Sequence, residues 1–257
     1  MRATRRKGSE AVRRGIKAIL WTLAVLILLS GLIFWLWSCA FVLRSVVVLG
    51  GSLDAETVIA AAGVTKGESV FALDESEIRG NIDALGTVCL VEYQLRLPDK
   101  LVLRVRDREA AAMLPFDGRL MLIDGECHAI ALVSDAPDTD LLYLSGVEIP
   151  DFYAGQVVED GEGRMALFLR MHAALEGLNA GMYVSEIDLR DPSAPRIITR
   201  SGILVELGDD AELEAKLALA KAAVADLEAR SACGGRLRIE SGARADYSPE
   251  AQGGAGA

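Results

Sequence analysis

One hydrophobic stretch near the N-terminus constrains this chain more than any other feature. Residues 18–43 carry no charged side chain and consist mainly of Leu, Ile, Val, Trp and Phe. As an α-helix, these 26 residues would be about 39 Å long, which exceeds the roughly 30 Å hydrocarbon core of a bilayer. A helix also satisfies its own backbone hydrogen bonds, as lipid requires. The sequence therefore predicts a transmembrane helix at 18–43.

The charges on either side of this stretch predict its orientation. Residues 1–17 hold seven basic residues and one acidic residue, a net charge of +6, whereas the whole chain carries −10, so the remainder carries −16. Basic flanks stay on the cytoplasmic side. We therefore expect a cytoplasmic tail and an extracytoplasmic body. A nucleic-acid-binding tail is the alternative explanation of the basic run.

Two processing events compete with a retained helix. A cleaved signal peptide also has a basic start, but its apolar region usually holds only about 7–15 residues. Residues 36–39 resemble a lipoprotein cleavage box that would lipidate Cys39, although the bulky Trp37 argues against cleavage there. The retained anchor is favoured.

The part after this stretch is acidic, which disfavours nucleic acids and anionic lipid surfaces as partners. Its three cysteines, Cys89, Cys127 and Cys233, are widely spaced and form no C-x-x-C pair. A Cys89–Cys127 or Cys127–Cys233 disulfide would suit an oxidising compartment. Buried free thiols are the favoured alternative.

Local patterns predict an α+β body. The first elements are a strand at 45–51, a helix from Ser52 or Asp54 to residue 62, a helix from Asp74 to residue 85, and strands at 88–97 and 101–108. Short strands follow at 120–123, 141–144, 187–189, 196–199, 203–207 and 236–240, with helices at 163–178 and 211–230. These assignments rest on capping residues, turn residues and hydrophobic periodicity. The apolar stripe of the last helix favours core packing over a coiled coil.

No pattern indicates catalysis. His128 and His172 have no partner at a metal-ligand spacing, and no P-loop, dinucleotide fingerprint or nucleophile elbow is present. Residues 160–163 lack the further ligands of a calcium loop. We expect no enzymatic activity, no cofactor and no metal.

Several motifs occur in a familiar order. They comprise Val48 and Gly50; Gly63, Gly67 and Phe71; and Arg96, Pro98, Leu101, Leu103, Val105, Asp107 and Arg108. This series resembles the FtsQ-type POTRA module of the FtsQ/DivIB cell-division proteins, and residues 120–125, 204–208 and 237–247 resemble that family's second domain. Asp107 stands where the family usually has Glu, and Ala110 and Gly86 stand where it often has Pro.

The resemblance implies a fold and a function. The expected parts are a basic cytoplasmic tail at 1–17, a transmembrane helix at 18–43, a β-α-α-β-β POTRA domain at 44–112, a mixed β-rich domain with a C-terminal helix and terminal strands at 113–248, and a disordered tail at 249–257. The expected role is a non-enzymatic scaffold of the bacterial divisome at the septum. It would bind FtsB and FtsL, and through them FtsW and FtsI.

A partner strand is expected to add to the end of the sheet, because the terminal strand pair comes last and leaves an edge unpaired. The candidate residues are Arg236, Leu237, Arg238, Ile239, Glu240 and Tyr247, with Arg104 and Arg106 as a second surface on the POTRA domain. An edge protected by its own charges is the alternative. A POTRA-containing chaperone or docking protein for secretion or outer-membrane assembly is the alternative function.

Overall fold

The computed structural model describes residues 20–32, 35, 40–137, 141–241 and 244–249. Residues 20–32 are helical, and their large apolar side chains are exposed. The tail at 1–17, parts of the predicted transmembrane helix at 18–43 and most of the predicted tail at 249–257 lie outside the described residues. Residues 41–43 are described and are not helical, and Leu43 is buried, so the predicted helix extends too far at its C-terminal end. Within the described ranges, no helix is long and apolar enough to cross a membrane.

The chain divides into two compact units. The first comprises Met1–Ile78 and Val91–Val105, and the second comprises Arg79–Leu90 and Arg106–Ala257. The predicted domain bounds at residues 112 and 113 stay predictions.

The first six elements follow the predicted order β-α-α-β-β, with one additional 3-10 turn. They are β1 (Ser45–Leu49), α1 (Ala55–Ala61), the 3-10 turn Val70–Ala72, α2 (Glu75–Asp83), β2 (Val88–Arg96) and β3 (Lys100–Asp107). The strands form a smaller sheet in the order β1-β3-β2. Strand β1 runs parallel to β3, with Ser45 opposite Lys100 and Leu49 opposite Arg104.

Both predicted acidic caps are confirmed. The Asp54 carboxylate accepts the Thr57 N–H at 2.9 Å, and Asp74 accepts the Ser76 N–H at 2.8 Å. Each carboxylate thereby satisfies an amide that the first helical turn leaves without a backbone partner. Hydrogen bonds from the side chain and backbone of Thr57 lower the pKa of Asp54, and those of Ser76 lower the pKa of Asp74.

The remaining elements build a larger sheet with two helices. They are β4 (Ala110–Phe116), β5 (Arg119–Asp124), β6 (Ala129–Val133), β7 (Leu142–Ser145), α3 (Arg164–Gly177), the 3-10 turn Gly181–Tyr183, β8 (Val184–Asp188), β9 (Arg196–Thr199), β10 (Leu204–Glu206), α4 (Leu213–Ala229), β11 (Arg236–Ser241) and β12 (Arg244–Ser248). Across the described residues the strand order is β12-β11-β10-β9-β8-β7-β4-β5-β6.

The core of the second unit lies between this sheet and the two helices. Phe168 and Met171 of α3 are fully buried, as is Ile187 of β8. Helix α4 buries four residues of its apolar stripe, namely Leu213, Leu217, Ala220 and Val224. Core packing, rather than a coiled coil, is thus confirmed for this helix.

Two strands were not predicted, and one cysteine expectation was wrong. The sequences of β4 and β6 do not alternate between polar and apolar residues, so these strands were missed.

Among the described residues, Cys89, Cys127 and Cys233 are free thiols. Cys127 is buried and Cys89 is half-buried, but Cys233 is exposed on the loop after α4, which contradicts its predicted burial.

Candidate partner-binding edge

The last strand of the described chain ends the larger sheet. Strand β11 lies parallel to β10 on one side and antiparallel to β12 on the other. Strand β12 pairs with β11 and comes first in the strand order, so its outer edge has no neighbouring strand in the part of the chain that the structure describes. A strand edge of this kind presents backbone N–H and C=O groups that can pair with another chain.

The prediction that the terminal strands lie at an end of the sheet is confirmed, but five of the six candidate residues lie on the inner strand of the pair. Residues 236–240 belong to β11, whose backbone pairs on both sides. Of these two strands, β12 is the outer one.

The side chains of β11 divide between the core and the solvent. Leu237 and Ile239 are buried, at 1% and 2% exposure, and they belong to the core cluster. The other three, Arg236, Arg238 and Glu240, are exposed. The two buried side chains are therefore not available to a partner, whereas the three charged ones are.

Strand β12 alternates in the same way. Ala245 and Tyr247 are half-buried against the core, and Arg244, Asp246 and Ser248 are exposed. These three exposed residues were not among the predicted site residues. The period-two alternation along 244–248 was the signal that could have identified them.

Tyr247 anchors the C-terminal end of β12. Its hydroxyl donates a hydrogen bond to the Gly234 carbonyl at 3.0 Å. The neighbouring Gly235 has φ +89°, and a Cβ there would lie 2.7 Å from the Ser248 carbonyl and 2.9 Å from the Tyr247 hydroxyl. Only glycine allows this close approach. Tyr247 thus has a structural role in addition to its place beside the edge.

Ion pairs cover the exposed face of these strands. Glu206 of β10 lies 3.6 Å from Arg236 and 3.3 Å from Arg238. Arg244 lies 3.5 Å from both Glu240 and Asp246. The pairs of Arg244 join exposed side chains, and such pairs contribute only about 0–1 kcal/mol each. Their charges can therefore exchange partners at small cost when another chain arrives.

The second predicted surface lies on an inner strand. Arg104 and Arg106 are exposed on β3, the middle strand of the smaller sheet. Arg104 lies 3.3 Å from Glu92. This surface can offer side chains to a partner but not an unpaired strand edge.

The histidines and the buried cysteine are engaged in packing. His172 stacks on Phe168 with ring centroids 5.6 Å apart, and His128 Nδ1 lies 3.4 Å from Asp124 Oδ1. Burial and the charge of Asp124 raise the pKa of Cys127 to about 12. No group of three metal-ligating side chains occurs among the described residues.

Comparisons with known proteins assign both parts of the body. Residues 41–108 match the sequence model of the POTRA domain, FtsQ-type, and residues 112–246 match that of the cell division protein FtsQ/DivIB, C-terminal. The chain belongs to the FtsQ/DivIB family. The resemblance found in the sequence motifs is therefore confirmed.

Individual FtsQ and DivIB proteins are distant relatives. The cell division protein DivIB of Clostridium tetani is 19% identical over 167 residues, covering 65% of this chain and 63% of the relative. The cell division protein FtsQ of Rickettsia bellii is 29% identical over 136 residues, covering 52% and 50%, respectively. That of Caulobacter vibrioides is 28% identical over 114 residues, covering 43% and 38%. In these three matches the chain spans less than two thirds of the relative's length.

Proposed function

We propose that this FtsQ/DivIB family member is a non-enzymatic, single-pass scaffold of the bacterial divisome. Its N-terminus is cytoplasmic and its body lies outside the cytoplasmic membrane at the septum. Family membership supports the division role. The uncharged stretch at 18–43 and the +6 tail at 1–17 support the topology. The partners are bitopic division proteins resembling FtsB and FtsL, which connect the scaffold indirectly to FtsW and FtsI.

The observation that carries the binding mechanism is the outer edge of β12, at one end of the larger sheet, which pairs with no other strand among the described residues. A partner strand that pairs there gains main-chain hydrogen bonds, and its alternate side chains determine specificity. Arg244 and Asp246 are exposed on this strand and can discriminate between partner charges. Arg104 and Arg106 are a weaker second surface, because β3 has no free edge.

A charge exchange on β12 tests this mechanism without altering net charge. The double variant Arg244→Glu and Asp246→Lys should weaken capture of the FtsB-like partner by at least about tenfold. Partner charges that complement Arg244 and Asp246 would then face like charges, at a cost of more than roughly 1.4 kcal/mol. The matched control exchanges Asp226 and Arg230, an exposed ion pair of 2.7 Å at the C-terminal end of α4, as Asp226→Arg and Arg230→Asp. It should bind like the unmodified chain.

A truncation, measured by pull-down of native partners, and a topology reporter complete the test. A chain ending at Gly235 lacks both terminal strands and should lose the partners. If this truncated chain, or the Arg244→Glu and Asp246→Lys variant, captures them as well as the unmodified chain does, the binding mechanism is wrong. A topology reporter fused after Pro249 should be active only outside the cytoplasm. Activity inside would contradict the proposed orientation.

A further inference from the structure

A loop of the first unit is hydrogen-bonded to residues 41–43, the last residues of the hydrophobic stretch. The Val70 N–H donates to the Phe41 carbonyl at 3.1 Å, and the Leu43 N–H donates to the Glu68 carbonyl at 2.8 Å. The Gly67 N–H returns a bond of 2.9 Å to the Leu43 carbonyl. These bonds hold residues 67–70 beside residues 41–43, at the C-terminal end of the hydrophobic stretch.

Two large apolar side chains are exposed near this segment. Phe71 is 58% exposed, and its ring centroid lies 5.1 Å from that of Phe41. Leu97 is 57% exposed in the turn between β2 and β3. The same turn lies beside the start of β1, because the Asp99 carbonyl accepts the N–H groups of Arg44 and Ser45 at 2.9 and 3.2 Å. Both side chains thus lie at the end of the first unit where the hydrophobic stretch joins it.

The charge at this end differs from that of the rest of the body. Residues 41–45, 66–71 and 96–100 surround these two side chains, and their charged residues are Arg44, Lys66, Glu68, Arg96, Asp99 and Lys100, a net charge of +2. The chain beyond residue 17 carries −16. The Arg44 side chain is 69% exposed. Cations beside exposed apolar side chains suit the boundary between lipid headgroups and acyl chains.

We propose that Phe71 and Leu97 insert into the outer interface of the bilayer that the predicted helix crosses, with Arg44, Lys66 and Arg96 against the headgroup phosphates. Aromatic and aliphatic side chains near a helix end are stable at this depth, about 5–10 Å into the boundary region. The contact fixes the first unit directly against the membrane. The inference rests on the proposed function, because it requires the retained transmembrane helix.

Depth-dependent quenching of tryptophan fluorescence tests the contact. The chain has three tryptophans, Trp21, Trp35 and Trp37, and their replacement by Phe gives a full-length background without tryptophan. Into it we would introduce Phe71→Trp or Leu97→Trp, one at a time. The matched control is Leu49→Trp, at an exposed position roughly 13 Å farther along β1. A fourth variant retains Trp35 alone and reports insertion of the helix.

Each variant is reconstituted in vesicles of phosphatidylethanolamine and phosphatidylglycerol that contain brominated lipids. The emission of Phe71→Trp and Leu97→Trp should be blue-shifted, and lipids brominated near the headgroup should quench it more than those brominated at the chain end. The emission of Leu49→Trp should be neither blue-shifted nor quenched in these vesicles.

Quenching of the Trp35 variant without quenching of Phe71→Trp and Leu97→Trp would overturn the membrane contact and leave the proposed function standing. Equal quenching of Leu49→Trp would also overturn it, because the contact would not be confined to this end of the unit. No quenching of any variant would refute the retained helix, and with it both proposals.

Discussion

Arg108 offers a direct test of how charge is held inside the second unit. Its side chain is only 5% exposed, with Nη1 2.5 Å from Asp124 Oδ2 and Nη2 3.8 Å from Asp83 Oδ1. Its Nε is buried and has no hydrogen-bond partner among the described residues. The Asp124 carboxylate also accepts the N–H groups of Glu126 and His128, at 2.9 and 2.8 Å.

The substitution Arg108→Met should destabilise the second unit by about 2 kcal/mol. Removing one partner of a buried ion pair typically costs about 3–5 kcal/mol. Here the two backbone amides continue to stabilise the Asp124 carboxylate, and the loss of the unpartnered Nε removes a desolvation cost of about 1–3 kcal/mol. The opposite substitution, Asp124→Asn, should cost more, about 3–5 kcal/mol, because it leaves a permanent charge buried.

Native-state hydrogen exchange measures this effect on the second unit itself, through the slowest amides of its core strands. About 2 kcal/mol corresponds to a roughly 30-fold increase in their opening constant. The matched control is Arg170→Met, which breaks a pair of the same chemistry, 2.6 Å from Asp210, whose side chains are 54% and 51% exposed. It should cost less than about 1 kcal/mol. Equal effects of Arg108→Met and Arg170→Met would refute the reasoning.

The same network predicts a pH dependence. Burial would raise the pKa of Asp124, but the His128 amide, the Arg108 guanidinium and the charge of His128 outweigh it, so the pKa is lowered. A lowered pKa in the folded state stabilises the fold above the unfolded value of about 3.9, and this contribution disappears as the pH falls through the folded value. Thermal unfolding followed by circular dichroism should therefore show that the melting temperature falls below about pH 4. This fall should be smaller in Arg108→Met than in the unmodified chain. An unchanged fall would contradict the role of the guanidinium.

Two further predictions concern a glycine and two thiols. The substitution Gly155→Ala should cost more than about 3 kcal/mol, against about 1–2 kcal/mol for Gly118→Ala. Both glycines have positive φ, but only a Cβ at 155 would clash, with the Asp83 carbonyl oxygen. Equal melting temperatures of the two variants would contradict the clash. A maleimide should label exposed Cys233 at once and Cys127 only on unfolding, because a pKa of about 12 leaves roughly one Cys127 in ten thousand as thiolate at pH 8. Peptide mass spectrometry measures the labelling, and rapid modification of Cys127 in the folded chain would contradict its burial.

Local sequence patterns were sufficient to predict an element that has one apolar face and one polar face. The period-two pattern at 101–106 predicted β3, and the stripe through Leu217 and Val224 predicted α4. Strand β4 was missed because its sequence, Ala-Ala-Ala-Met-Leu-Pro-Phe, has low strand propensity. It is a strand because β5 pairs along its length, while its pairing with β7 is confined to Ala112 and Met113, before Pro115, which has no N–H to donate.

The candidate edge shows the limit of sequence reasoning more clearly. The terminal strand pair could be located from motifs, but which strand is outermost depends on a parallel pairing between β10 and β11. Helix α4 separates these strands in the chain, and no local pattern indicates such a crossover. The burial of Leu237 and Ile239 follows from that pairing and from packing against the core.

Strand addition at β12 is the central claim, and hydrogen exchange of the backbone amides at Ala245 and Asp246 tests it most directly. The full chain would be measured alone and with the FtsB-like partner, with strand β6 at the opposite end of the sheet as the internal control. We expect partner-dependent protection of the β12 amides and no change in β6. Binding of the partner without protection of β12 would contradict the account.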